Sequence, residues 1–293
     1  MSTKEVHPDD GTAMPVTAVD SHAHVFSNAL PLARQRRYAP SYDAPLERYL
    51  AELDRRGISH GVLVQPSFLG TDNGYLLRAL ALAPQRLRGV AVIDPQAAAA
   101  EPSGLNALAA AGVVGVRINL IGVPNPDFTS SAWRAVLPRI AGLGWHVEIH
   151  CEAQRLMGIA EPLLAQDRSD ALTLVVDHFG RPAPELGVAD PGFRQLLTLG
   201  PTGRVWVKVS AAYRNGGASI DPSGQLSAHA ALPYLREAFG LERLVWGSDW
   251  PHTQFESQQT FGGTWDLLRA LIPDERERRI VLADAPARLF GFR

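Results

Sequence analysis

Three histidines and an aspartate occupy positions from which they could carry out hydrolytic chemistry. His22 and His24 lie two apart in the run Val19-Asp20-Ser21-His22-Ala23-His24-Val25-Phe26. Residues two apart on a strand point to one face, so both imidazoles would project together from the strand's C-terminal end. Such a pair on a buried face is costly to keep unless it binds a metal, a substrate oxygen or each other. His178 follows Asp177 at the end of a later apolar run, and Asp249 stands in Trp246-Gly247-Ser248-Asp249-Trp250-Pro251-His252. Zinc takes imidazole nitrogen and carboxylate oxygen and leaves a position for water, so His22, His24, His178 and Asp249 could ligate one divalent metal such as Zn2+. The same four groups can act without metal, with Asp249 as general base toward water and the imidazoles holding a carbonyl. A hydrogen-bonded polar plug at the top of the fold is the alternative without chemistry.

Recognition groups stand nearby in sequence. Arg117, Arg181 and Arg214 fall at or just beyond the ends of apolar runs, where a planar guanidinium suits a carboxylate. Arg181 has a salt bridge to a loop carboxylate as its ordinary alternative, and Arg117 is aimed inward by its strand position. Ser67, Thr71 and Asn73 offer hydroxyl and amide contacts, with a helix cap at Thr71 or Asp72 as the competing role. Tyr38 and Tyr42, in a long first loop, could form a lid; His252 could touch substrate or support a group that does. His150 shares the parity of Glu148, which turns Cys151, the chain's one cysteine, toward the outer helices as a packed, inert thiol.

The elements that must position these groups are short apolar runs rich in Val and Ile, read as strands over residues 18–26, 60–66, 88–94, 114–120, 146–152, 172–178, 205–211 and 243–249. They are apolar on both faces, as in a buried parallel sheet. Amphipathic stretches at 73–83, 132–143, 155–166, 193–199 and 227–239 alternate with them, and 258–290 reads as two closing helices. Eight such alternations predict a single-domain (β/α)8 barrel over residues 18–293, after a flexible N-terminal arm of residues 1–17. Barrels of this kind carry catalysis at the C-terminal ends of their strands. Polar residues gather there, including Gln65, Asn119, Glu148, Lys208 and Ser210.

Net charge is −2 with 46% hydrophobic and 20% charged residues, and the densest basic run, Arg34-Gln35-Arg36-Arg37, is too short to argue for nucleic acid or a membrane surface. One cysteine, no signal peptide and no long apolar span point to the cytoplasm. The composition leaves a homo-oligomer open.

On these residues the chain resembles the amidohydrolase superfamily, in the branch of 2-pyrone-4,6-dicarboxylate hydrolases and sugar-acid lactonases. The resemblance is carried by Asp20-Ser21-His22-Ala23-His24-Val25-Phe26, Val64-Gln65-Pro66-Ser67 with Gly70-Thr71-Asp72-Asn73, and Gly144-Trp145-His146-Val147. It continues in Asp177-His178-Phe179-Gly180-Arg181-Pro182, Trp246 to His252, and Ala285-Pro286-Ala287-Arg288-Leu289-Phe290. It implies hydrolysis of a carboxylated lactone, with no cofactor required. Asp249 would activate water, His22, His24 and His178 would polarise the lactone carbonyl, and Ser67, Arg117 and Arg214 would bind substrate carboxylates.

Two departures from the pyrone-dicarboxylate pattern favour a different lactone. Leu120-Ile121-Gly122-Val123 stands where a second Arg is expected, and His150 stands where a Tyr is expected. The added imidazole also favours a metal. The rival functions are a metal-dependent amidohydrolase or decarboxylase, a lactone isomerase, and a barrel that binds a small acid without turning it over.

Overall fold

In a computed structural model, which describes residues 14–165, 172–217 and 221–293, the chain winds eight times through strand and helix. The strands are β1 (Val19–Ala23), β2 (His60–Val64), β3 (Leu87–Ala91), β4 (Val113–Asn119), β5 (His146–His150), β6 (Thr173–Val176), β7 (Val205–Ser210) and β8 (Leu244–Gly247). They pair in sequence order, each parallel to the next. A parallel bridge between Ala23 and Trp250 joins the ends, so the sheet is a (β/α)8 barrel as its pattern predicts.

The outer helices are α1 (Leu46–Asp54), α2 (Gly74–Leu82), α3 (Pro95–Ala100), α4 (Ser103–Ala110), α5 (Ser131–Gly142), α6 (Leu156–Leu164), α7 (Pro191–Leu197) and α8 (Gln225–Phe239). They bury Leu, Ile and Phe against the outward face of the strands, including Leu53, Ile140, Ile159 and Phe193. Residue 166, the expected end of the sixth helix, and residues 1–13 of the expected arm lie outside the described residues. The closing segment differs from two simple helices. After α9 (Phe261–Leu271) come α10 (Glu275–Arg279), a π-helical turn over Ile280–Asp284, and α11 (Ala285–Phe290). Pro286 lacks the N–H that an unbroken α-helix would use there, so one local change in hydrogen bonding separates the two pieces.

This last segment has a structural job. Phe290 and Phe292 pack with Val19, Val62 and Val90, while Ala285 and Leu289 meet Val175, Trp206 and Val245. The N-terminal end of the barrel is therefore plugged largely by apolar side chains, with the buried rings of His60 and His146 packed against Phe292 and Phe290.

Closure of the barrel depends on Asp20, which is fully buried. Its carboxylate accepts hydrogen bonds from the Ser248 amide (2.7 Å), the Ser248 hydroxyl (2.6 Å) and the Tyr49 hydroxyl of α1 (3.1 Å). Gly247 allows β8 to approach β1 closely, since a Cβ there would lie 2.6 Å from that of His22. Replacing Asp20 by Ala leaves these buried donors unpaired, at a cost of about 3 kcal/mol in urea unfolding. A change below about 0.5 kcal/mol, the size of an ordinary surface substitution, would contradict this role.

Candidate active site

The strand ends are prolonged by sharp turns, and the candidate residues sit on them. β6 and β8 stop at Val176 and Gly247, short of the expected 178 and 249. His178 (φ 51°), Phe179 (φ 57°), Asp249 (φ 58°) and His252 (φ 64°) all adopt left-handed backbone conformations. Such conformations in non-glycine residues cost about 1–3 kcal/mol each and collect where a fold aims side chains at a site. His24 also lies past the end of its strand. It is placed by its own backbone, whose N–H donates to the Trp250 carbonyl at 2.7 Å.

These turns bring the four expected residues together. The rings of His22 and His24 are perpendicular with centroids 4.9 Å apart, and His178 lies 4.8 Å from His22. Asp249 Oδ1 is 3.5 Å from His22 Nε2 and 3.5 Å from His24 Nε2. Its other oxygen, Oδ2, accepts from the Tyr213 hydroxyl at 2.5 Å and from Arg214 Nε at 2.8 Å. Burial pushes the Asp249 carboxyl up, but the Arg214 guanidinium beside it holds it well below the usual carboxylate range. One oxygen is thus anchored and the other faces the imidazoles, without a protein hydrogen bond.

Burial keeps the imidazoles neutral. His178 falls to about 3, and His22 and His150 lie well below their ordinary value. His24 Nδ1 donates to the Val64 carbonyl at 2.7 Å, which leaves its Nε2 as an acceptor. His22, His24 and Asp249 offer ligand atoms within 4.8 Å of one another, as do His22, Asp177 and His178. Each set could hold a metal ion by donor type and spacing.

Beneath these residues lies a layer of buried charge in which the sequence assigned a role to Arg117 alone. Lys208 is fully buried and ion-pairs with Glu148, while its Nζ lies 3.0 Å from His22 Nδ1 and 3.7 Å from Asp177 Oδ1. Arg117 reaches Asp177 at 3.3 Å and Glu148 at 3.6 Å. Burial, followed by the neighbouring Asp177, lifts Glu148 to about 7 against the pull of Lys208 and Arg117. The period-two alternation of Glu148 with His150 and of Lys208 with Ser210 was visible in the sequence. Their pairing across the barrel was not.

Around the mouth, the inner pocket of about 40 Å³ is lined by His24, Ser67, Arg117, His150, His178 and Asp249, with Tyr38, Arg37 and Arg214 above them. It adjoins an outer space of about 550 Å³ that shares Arg37, Ser67 and Asn119. Arg214 already pairs with Asp249, and Arg181 donates to the Arg214 carbonyl and does not line the inner pocket. His252 is likewise set back, with Nδ1 3.4 Å from the Tyr213 hydroxyl. Asn73 bonds the Val92 backbone, and Asp72 Oδ1 accepts from the Gly74 amide in the turn that leads into α2, which accounts for both through local structure.

Tyr38 and Tyr42 both donate to Glu256, fastening the first loop to the loop after β8. Cys151 is buried, and its thiol is pushed up to about 12 by that burial, as expected of an inert side chain. Arg37 was not foreseen as a site residue. It crosses Gly122, where a Cβ would lie 3.0 Å from Arg37 Cδ.

The chain matches the family described as amidohydrolase over residues 19–292. It is 33% identical over 289 residues to a 4-sulfomuconolactone hydrolase of Rhizobium radiobacter, covering 95% of this chain and 91% of that one. It is 34% identical over 289 residues to a 2-pyrone-4,6-dicarboxylate hydrolase of Comamonas testosteroni, covering 94% and 91%. A crystal structure of a putative 2-pyrone-4,6-dicarboxylic acid hydrolase from Pseudomonas putida superposes with a TM-score of 0.86 at 48% identity, covering 95% and 99%. With its barrel and its converging His and Asp groups, the chain belongs to the amidohydrolase family.

Proposed function

We propose that this protein opens the ring of a carboxylated lactone by adding water activated at Asp249, without a resident metal. The observation that carries this is the geometry of Asp249, whose Oδ2 is anchored by Tyr213 and Arg214 while Oδ1 faces His22 and His24. A water between Asp249 Oδ1 and His24 Nε2 meets two acceptors, so its oxygen lone pair is directed away from them. As that oxygen attacks the lactone carbonyl, its proton passes to Asp249. Imidazole N–H groups receive the charge developing on the carbonyl oxygen, where a fixed donor lowers the barrier most. The ring C–O bond then breaks, and Asp249 returns the proton to the departing oxygen. The product is a carboxylic acid, which releases the second proton of the water to solvent and becomes a carboxylate, with a free hydroxyl or its keto form.

The mouth supports an anionic substrate. Arg37, Arg117 and Arg214 line it together, and Arg37 has no protein ion pair among the described residues. The two curated relatives are named for lactones bearing sulfo or dicarboxylate groups, chemistry that fits such a mouth. Ser67 and Tyr38 add hydroxyls at the same rim. Arg181 and His252 would act from behind, holding Arg214 and Tyr213.

A metal bound by His22, His24 and Asp249 would supply Lewis acidity to the carbonyl. The neutral imidazoles and the anchored carboxylate supply donors and a base by themselves.

The tests follow from these roles. A panel of carboxylated lactones identifies the substrate, and NMR of the product must show the open acid; a rearranged lactone as the sole product would instead mean isomerisation. On that substrate, Asp249→Asn lowers kcat by about 10² to 10⁴ with KM nearly unchanged. A kcat within about threefold of wild type rejects Asp249 as the base.

The lowered pKa of Asp249 also sets the pH profile. Its ionised form persists down to pH values below the ordinary carboxylate range, so log kcat/KM shows no loss from this group between about pH 5 and 7. An acid limb with a midpoint near 6 would contradict it. Finally, protein stripped by a chelator and shown metal-free by elemental analysis keeps its turnover. A requirement for stoichiometric zinc would overturn the metal-free mechanism.

A further inference from the structure

We propose that Lys208 is a positioning residue that fixes the tautomer of His22, so that His22 and His24 act as a donor–acceptor couple and not as a metal clamp. This rests on the reading of the site as a lactone hydrolase and adds the device that makes its two adjacent imidazoles chemically different.

An ammonium has hydrogens to give and no lone pair to accept with. Lys208 Nζ lies 3.0 Å from His22 Nδ1, closer than the two carboxylate oxygens that face the same nitrogen, Asp177 Oδ1 at 3.4 Å and Glu148 Oε1 at 3.6 Å. A hydrogen on Nδ1 would place donor against donor. Nδ1 therefore accepts, and the single N–H of the neutral ring sits on Nε2. His24 has the reverse arrangement. Its Nδ1 faces a carbonyl at 2.7 Å, which only accepts, so its hydrogen is on Nδ1 and Nε2 is bare. Asp249 Oδ1 lies 3.5 Å from both Nε2 atoms and so meets one donor and one acceptor.

A histidine that ligates metal through Nε2 ordinarily donates Nδ1–H to a carboxylate or a carbonyl. His24 satisfies that requirement and His22 does not. The second candidate set, His22 with Asp177 and His178, has the Lys208 ammonium within 3.0 Å of His22 and 3.7 Å of Asp177, where a divalent cation would meet a like charge. Lys208 thus disfavours a cation in both sets. Glu148 and Asp177 hold the ammonium in place in the dry interior, with Arg117 balancing the second carboxylate. For the reaction, the bare Nε2 of His24 joins Asp249 in holding water, while the Nε2–H of His22 is kept for the carbonyl oxygen.

The direct test is two-bond 1H–15N NMR of the full-length, metal-stripped protein carrying ring-15N histidine, with signals assigned by their loss in His22→Asn and His24→Asn. The expected wild-type pattern is a protonated Nε2 and bare Nδ1 for His22, and the opposite for His24. In Lys208→Met/Glu148→Gln, which removes both charges of the closest pair together, the hydrogen of His22 moves to Nδ1 opposite Asp177. Zinc affinity then rises about tenfold or more. A wild-type His22 with Nδ1–H overturns the proposal, as does a folded double variant whose tautomer and zinc affinity match wild type. If the double variant does not fold, the wild-type spectrum decides alone. The spectrum is read without substrate, so inactivity on every lactone would reject the proposed function and leave this assignment standing.

Discussion

The contact between Lys208 and Glu148, sealed inside the barrel beneath His22, is the interaction on which the rest of the site depends. Burying an ion costs several kcal/mol after relaxation, and a pair repays this only where geometry and further hydrogen bonds are good. Here the cost is spread over four charges, Lys208, Arg117, Glu148 and Asp177, in which each carboxylate meets both cations and neither is exposed to solvent. Apolar residues would fill the space at lower cost, as they do one layer below with Val175, Trp206 and Val245. The charged layer therefore has to be understood by what it does to the residues above it. It gives His22 a defined partner on one nitrogen and turns the other toward Asp249.

Asp249 is governed by a similar division of its two oxygens. Tyr213 and Arg214 engage Oδ2, and the left-handed turn after β8 carries Oδ1 to within 3.5 Å of two imidazoles. The ion pair lowers the basicity of the carboxylate but keeps it ionised, and it fixes the direction in which Oδ1 points. The barrel wall thus supplies orientation, and the cationic rim supplies attraction for an anionic ring. Closure by Asp20 and Ser248 links the two, because β1 and β8 lead into His22, His24 and Asp249 on adjacent strands.

Much of this was legible in the chain. Apolar β-branched runs at regular intervals marked the strands, because strands buried on both faces leave no polar alternation to confuse the pattern. The His22/His24 pair was found by its period of two, although the pairing register shifts between Asp20 and Ala23 and His24 is placed by the bridge to Trp250. His178 and Asp249 were found by position, but their left-handed turns were not visible, since neither residue type announces a positive φ. Arg37, Tyr213 and Glu256 come from loops, where no periodicity reports which side chain turns inward. The charge layer was hidden for a different reason. Glu148 and Lys208 had the right parity, yet which of them meets His22 follows from the stagger of strands around the barrel.

The central claim is that Asp249 acts on water and not on the lactone itself. It is tested most directly by a single turnover in H2 18O, with enzyme in excess over substrate and the oxygen content of product and protein read by mass spectrometry. Direct attack by water places one 18O in the newly formed carboxylate of the product on that first turnover and none in Asp249. An unlabelled first product with 18O in Asp249 would show attack by the carboxylate, and an unlabelled product with unlabelled protein would show that no water was added.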